Sequence, residues 1–264
     1  MSFSFTPAHR GGSGEPLVLL HGFMDTWRTW ELVLPTLERH HDVLAPTLPG
    51  HAGGPPLEDA VSHATMADAV ERAMDDAGFE TAHVAGNSLG GFVALQLAAR
   101  GRARSVVALA PAGGWEPNDP TLGRTLAAQT AMHEATKALA PHAGAIAATA
   151  AGRRRATELL TSRPERLPAD LVAHLVLGVA RCDALPMLAF AASDPYVVEA
   201  ERIDCPVRIV WGTADRLLPW PTAARRLRRV MPQADWIELE GVAHAPQLDV
   251  PLETAQLILG HTGG

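Results

Sequence analysis

Ala82-His83-Val84-Ala85-Gly86-Asn87-Ser88-Leu89-Gly90-Gly91-Phe92-Val93-Ala94-Leu95 is the stretch that decides the fold. A short apolar run breaks at a Gly-x-Ser-x-Gly pentad, Gly86 to Gly90, and an apolar segment with helical spacing follows at once. The order is strand, tight turn, helix. A serine at the tip of such a turn is forced into a strained backbone conformation that lifts its hydroxyl above the sheet edge. The flanking glycines permit the crowding because they lack a Cβ. Ser88 is thereby presented as a nucleophile. A phosphate-cradling loop between strand and helix would need Gly-x-Gly-x-x-Gly, with glycine where Ser88 stands.

Upstream, Pro16-Leu17-Val18-Leu19-Leu20 is a continuous apolar run, as expected of a strand buried on both faces of a parallel sheet. It ends at His21-Gly22-Phe23-Met24. Trp27, Trp30, Leu34 and Leu37 continue a helical apolar face across Pro35, and a strand is expected from His41 to Ala45. Ser2 to Phe5 alternates like an edge strand, and Gly11-Gly12-Ser13-Gly14 reads as a turn. Pro46 to Pro56 is a loop by composition, and Thr65 to Asp76 is a helix closed by Gly78.

Downstream, Ser105 to Ala110 is another buried strand, after which the rhythm changes. From Gly114 to Asp204 the chain is alanine-rich and helix-like, with no convincing buried strand. Strand and helix then alternate again: Val207 to Trp211, a helix near Thr222 to Val230, a strand near Asp235 to Leu239, and a helix from Leu252 to Leu259. The expected fold class is α/β, a mostly parallel sheet with helices on both faces and a helical cap insertion. The expected division is core 1–113, insertion 114–204 and core 205–264.

Composition narrows the partners. A chain of 264 residues, 47% apolar, can bury a substantial core. Its formal net charge is -7, and Arg153-Arg154-Arg155 is the one run of three consecutive basic residues, so neither a nucleic-acid footprint nor an anionic-membrane patch is expected. A small molecule is the expected partner. Cys182 and Cys205 are expected to be reduced, which together with the lack of a basic-then-apolar leader and of any 18-residue apolar run points to the cytoplasm.

The chain resembles the α/β-hydrolase family over nearly its whole length. The resemblance rests on four motifs: His21-Gly22, the Gly86 to Gly91 elbow, Trp211-Gly212-Thr213-Ala214-Asp215-Arg216, and Gly241-Val242-Ala243-His244-Ala245-Pro246. The family's order is serine, acid, histidine, and this chain has it. A serine hydroxyl is a poor nucleophile at neutral pH, so a base must take its proton during attack and later return it to the leaving group. That role falls to His244. A carboxylate must fix the tautomer of that histidine, and Asp215 stands in a loop after a buried strand. The resemblance further implies two oxyanion donors, the backbone N–H groups of Leu89 and Phe23. It gives His21 a loop-orienting role.

Other candidates are weaker. His133-Glu134-Ala135-Thr136-Lys137 has a lysine where a zinc helix needs its second histidine, so no metal and no cofactor is expected. Asp183, Asp194 and Asp204 lie in the insertion or at its end and read as cap or loop residues, and His51 reads as a solvated loop histidine. Thr47 stands where many relatives open the loop after the strand with aspartate.

Relatives with an aspartate nucleophile cleave epoxides or carbon–halogen bonds, whereas serine at the elbow implies acyl chemistry. A carboxylesterase-like enzyme acting on a small, largely apolar ester is expected. The alternatives are hydrolysis of a carbon–carbon bond in a diketone, or a small-molecule receptor with slow hydrolysis on the same fold. The insertion is expected to form the pocket wall, with Trp115 and Met132 reaching the substrate.

Overall fold

The apolar runs become the inner strands of one sheet. The computed structural model describes residues 4–57, 61–62, 64–116, 119–183, 185–193 and 197–263. Its strands are β1 (Ala8–Gly12), β2 (Glu15–Leu20), β3 (His41–Pro46), β4 (Ala82–Asn87), β5 (Ala103–Leu109), β6 (Val207–Gly212) and β7 (Asp235–Leu239). They lie in the order β1-β3-β2-β4-β5-β6-β7, parallel throughout except where β1 pairs with β3. Helices α1 (Leu34–Leu37), α2 (Ala64–Asp76) and α3 (Leu89–Ala99) precede β5. After β5 come α4 (Pro120–Leu139), α5 (Ala143–Ala148), α6 (Ala150–Thr157), α7 (Ala169–Arg181) and α8 (Leu185–Ser193). Helix α9 (Arg225–Val230) joins β6 to β7, and α10 (Pro246–Asp249) and α11 (Pro251–Thr262) follow.

Period-two alternation sends each inner strand to two cores at once. Val18, Leu20, Val84, Val106 and Ile209 pack on one face with Met66, Val70 and Met74 of α2 and with Phe92 of α3. Leu17, Leu19, Val107, Leu109 and Val210 pack on the other with Trp30, Leu34, Leu37 and Ile258. Helix α3 is buried on nearly every side, so it carries no polar face; it lies with the sheet on one flank and α2 on another.

Three expectations change. The N-terminal edge strand is Ala8–Gly12 and not the stretch ending at Phe5, of which Ser2 and Phe3 lie outside the described residues. Alternation in Ser2 to Phe5 is outweighed by antiparallel pairing, which sets Ala8 opposite Pro46 and Gly12 opposite Asp42. Gly11 and Gly12 therefore end a strand, and the turn itself is left to Ser13 and Gly14. His51 is buried, not solvated, with its ring edge-on to those of His21 and Phe23.

The segment between β5 and β6 is a helical insertion, as the loss of strand rhythm implies. It is tied to the core at several points. His174 of α7 bonds Thr26 through Nε2 and Oγ1 at 3.0 Å, and Ala245 N–H donates to the Leu160 carbonyl at 2.9 Å. Its largest apolar cluster, built on Leu171, Val172 and Leu175, closes over Ala245 and Leu248. His133 Nε2–H donates to the Cys182 carbonyl at 3.0 Å, which fastens α4 to the end of α7. Among the described residues no single helix is long and apolar enough to cross a membrane.

Strand order places the site. The chain steps from β2 outward to β3 and then returns to β4 on the opposite side of β2. Loops leaving the ends of β2 and β4 therefore diverge, and a crevice opens between them.

Candidate active site

Ser88 sits in that crevice with φ 56° and ψ −115°, the conformation its turn demands. A Cβ on Gly86 would fall 2.2 Å from the Gly90 carbonyl oxygen, and one on Gly90 would fall 2.2 Å from that of Leu20. Both positions must be glycine for β4, α3 and β2 to close together. The surroundings hold the strain in place: Ser88 N–H donates to Leu109 O at 2.9 Å, and Ser88 O accepts from Ala112 N–H at 3.0 Å.

Asp215 and His244 come from the loops after β6 and β7. Those loops are cross-linked, with Thr213 N–H on Leu239 O and Ala214 N–H on Val242 O, each at 3.0 Å. His244 Nδ1–H donates to Asp215 Oδ2 at 2.7 Å, and both side chains are buried. The other carboxylate oxygen accepts from Leu217 and Leu218 N–H at 2.9 and 2.8 Å. With its Nδ1 proton held by Asp215, neutral His244 carries its lone pair on Nε2. Asp183 and Asp204 are exposed away from this pair, and Asp194 lies outside the described residues.

Asn87, which precedes the serine, ties the histidine loop to the elbow. Its Nδ2 donates to Leu109 O at 3.1 Å and to His244 O at 3.0 Å. Its Oδ1 accepts from Gln247 Nε2 at 3.2 Å, and the same Nε2 donates to Thr29 Oγ1 at 3.1 Å. A second clamp is Asp249, fully buried, which accepts from Ala243 N–H at 2.8 Å, Thr161 Oγ1 at 2.6 Å, and Ser162 N–H and Oγ at 3.0 and 2.8 Å. Sequence reading misses both residues. The only signal is their position, one before the serine and five after the histidine.

The His21-Gly22-Phe23 loop lies against the elbow. A Cβ on Gly22 would stand 3.4 Å from both Ser88 Cβ and Asn87 Oδ1. Phe23 N–H and Leu89 N–H, the latter at the first turn of α3, find no acceptor among the described residues. His21 fixes this loop: Nδ1–H donates to Gly22 O at 2.8 Å, and Nε2 accepts Leu48 N–H at 2.9 Å. Burial, with His51 adding, holds its imidazole well below the usual range, so it stays neutral. Thr47 secures the neighbouring loop by donating its hydroxyl to Thr6 O at 3.2 Å.

Above Ser88 is a narrow cavity of about 30 Å³, room for one or two waters. Phe23, Leu89 and Leu218 line it from the core, and Met187 and Leu188 of α8 line it from the cap. Trp115 lines it as well. Met132 does not; one helical turn past the lining face of α4, it packs with Met24, Cys182 and Leu188. Among the described residues no three His, Cys, Asp or Glu side chains are grouped as metal ligands.

The chain matches the Alpha/beta hydrolase family over residues 17–257. It is 34% identical to an epoxide hydrolase, EphH, of Mycobacterium tuberculosis, over 75% of this chain and 94% of that one. Among solved structures it is similar to the carboxylesterase CesB of Bacillus subtilis, with TM-score 0.74 and 22% identity, covering 100% of this chain and 90% of that one. It is also similar to an enol-lactonase of Burkholderia xenovorans LB400, with TM-score 0.76 and 18% identity, covering 97% and 96%. The chain belongs to the alpha/beta hydrolase family.

Proposed function

We propose that the chain is a serine hydrolase that cleaves a small, largely apolar ester through an acyl-enzyme on Ser88. The observation that carries this reading is the 2.7 Å bond from His244 Nδ1 to Asp215, on a loop that Asn87 fastens to the elbow. It sets the tautomer that a base beside a serine needs. His244 Nε2 takes the Ser88 proton as Oγ bonds to the carbonyl carbon, and the negative charge of Asp215 offsets the imidazolium. The oxyanion receives the unpaired N–H groups of Phe23 and Leu89. Collapse breaks the carbon–oxygen bond, and the alcohol leaves with the proton from His244. A water, deprotonated by the same nitrogen, then releases the acid and restores Ser88.

The name of the mycobacterial relative raises epoxide opening, but the nucleophile argues for acyl substrates here. Attack of a serine hydroxyl on an epoxide carbon leaves an ether on the enzyme, with no carbonyl for water to attack. A carboxylate nucleophile leaves an ester, which water can cleave. Between a serine ether and a serine ester, only the ester offers water a carbonyl, so Ser88 favours acyl substrates over epoxides.

The test is a chromogenic short-chain ester assay beside labelling with a fluorophosphonate. Wild type should hydrolyse p-nitrophenyl butyrate, label once on the peptide containing Ser88, and show a butyryl mass there on rapid quench. Ser88→Ala should do none of these. Diketone cleavage without an acyl adduct would move the base role of His244 onto water, and ligand binding with neither turnover nor label would make the chain a receptor.

A further inference from the structure

One face of α4 forms the roof of the cavity above Ser88. Leu122, Thr125, Leu126 and Gln129 line it at the i, i+3, i+4, i+7 spacing of a single helical stripe. That stripe is not wholly apolar. Thr125 is buried, yet its hydroxyl makes no hydrogen bond among the described residues, whereas Thr130 and Thr136 of the same helix return theirs to Leu126 O and Met132 O. The Gln129 amide is likewise unpaired among the described residues.

Trp115 completes the edge. It lines the same cavity, is only 7% exposed, and its Nε1–H is buried with no partner among the described residues. Trp211 and Trp236 donate the same group to Leu218 O and Met231 O, while Trp30 Nε1–H, also unpaired among the described residues, lies in the core and lines no part of this cavity. A buried donor left without an acceptor is costly, so an unpaired one on a residue that lines a binding cavity is a place for a ligand oxygen. Apart from Ser88, the polar side chains that line the cavity are Trp115, Thr125 and Gln129, and no charged side chain lines it among the described residues. A carboxylate on the ligand would find no cation, while a neutral oxygen would find donors.

We propose that Trp115, Thr125 and Gln129 select esters carrying a second, uncharged acceptor oxygen, a keto or ether group, beyond the scissile carbonyl. Trp115 Nε1–H donates to that oxygen, and the Thr125 hydroxyl and Gln129 amide flank it. This rests on the hydrolase reading and narrows it from plain alkyl esters to oxo- or alkoxy-substituted ones.

A matched pair tests it: p-nitrophenyl 4-oxopentanoate against p-nitrophenyl 4-methylpentanoate, in which a methyl-bearing carbon replaces the keto group at similar size. After each kcat/KM is divided by the ester's own hydroxide rate, wild type should prefer the oxo ester by roughly five- to tenfold, the value of one buried neutral hydrogen bond. Trp115→Phe keeps an aromatic ring and removes the donor, and should bring the ratio close to one. Thr125→Val and Gln129→Met should each lower it partly, so the result does not depend on one variant folding. A wild-type ratio near one, or a wild-type ratio retained in all three variants, overturns the proposal. If wild type neither hydrolyses the esters nor labels with the fluorophosphonate, the hydrolase reading fails separately. Saturation-transfer NMR with 2,5-hexanedione against 5-methyl-2-hexanone then decides: preference for the dione, lost in Trp115→Phe, supports the acceptor edge, and equal binding overturns it.

Discussion

Asn87 Nδ2 stands 3.0 Å from the carbonyl oxygen of His244, so the residue before Ser88 holds the backbone of His244. The spacing between serine and imidazole therefore depends on a side chain that takes no part in bond making. Asn87→Ala should lower kcat by about one to two orders of magnitude with KM little changed, because misplacement of a reacting group by about 1 Å carries a cost of that size. Steady-state kinetics on a chromogenic ester, with thermal unfolding measured alongside, would separate lost positioning from lost fold. A fall in KM-limited binding alone would contradict the assignment.

Asp215→Asn should keep the fold and cut turnover by about three to four orders of magnitude. The amide can still accept from Leu217 and Leu218 N–H through its oxygen. Its nitrogen then faces His244 Nδ1 as a donor and drives the imidazole to the opposite tautomer. Asp183→Asn and Asp204→Asn, at exposed positions, should stay near wild type in the same assay, and the reverse pattern would refute the choice of acid.

Asp249→Ala should destabilise the protein by at least about 3 kcal/mol, because four donors from the cap loop and from Ala243 lose their shared acceptor inside the protein. Asp249→Asn should lose less, since one oxygen still accepts. Urea unfolding of both variants gives the comparison. Equal stability of wild type and Asp249→Ala would show that water replaces the carboxylate without cost.

Acid should weaken the fold in a definite window. Burial holds His51 down at about 4 and His174 at about 4, the latter with Arg28 and Arg181 adding, against an ordinary value of 6.5. Between those values the unfolded chain binds protons that the folded one refuses, so stability present above pH 6.5 is lost as pH falls toward 4. For His51 alone this amounts to about 3 kcal/mol. Asp25 acts in the opposite direction: burial raises it from 3.8 to about 6, so its protonation favours the folded state as pH falls from about 6 to 3.8, across most of the same window. Urea midpoints should nevertheless fall from pH 7 to pH 4.5, and His51→Phe should flatten the slope. A midpoint independent of pH would show that these imidazoles are hydrated in the folded protein.

The strands and the elbow were legible because strands buried on both faces must be apolar at every position, and because Gly86 and Gly90 have backbone within 2.2 Å of where a Cβ would stand. Strand β1 was not, since Ala8-His9-Arg10-Gly11-Gly12 has no period of its own and gains its conformation from β3. His51 shows the same limit: a loop of mixed composition carries no sign that its ring will meet His21 and Phe23. The polar clamps join residues 157, 160 and 88 positions apart, which no local pattern records. On α4, helical spacing puts Leu122 to Gln129 and Met132 near one stripe, and only the length of the cavity separates the pocket wall from cap packing.

The bond from Asn87 to His244 spans 157 positions, and this fixes an order of events during synthesis. The elbow leaves the ribosome complete with its nucleophile, while the cap, β6, β7 and the base are still to be made. Until the last of these arrives, Ser88 has no group to take its proton and is no more reactive than any free serine. On the proposed mechanism a half-translated chain is therefore chemically silent toward esters, and activity begins only once the His244 loop docks.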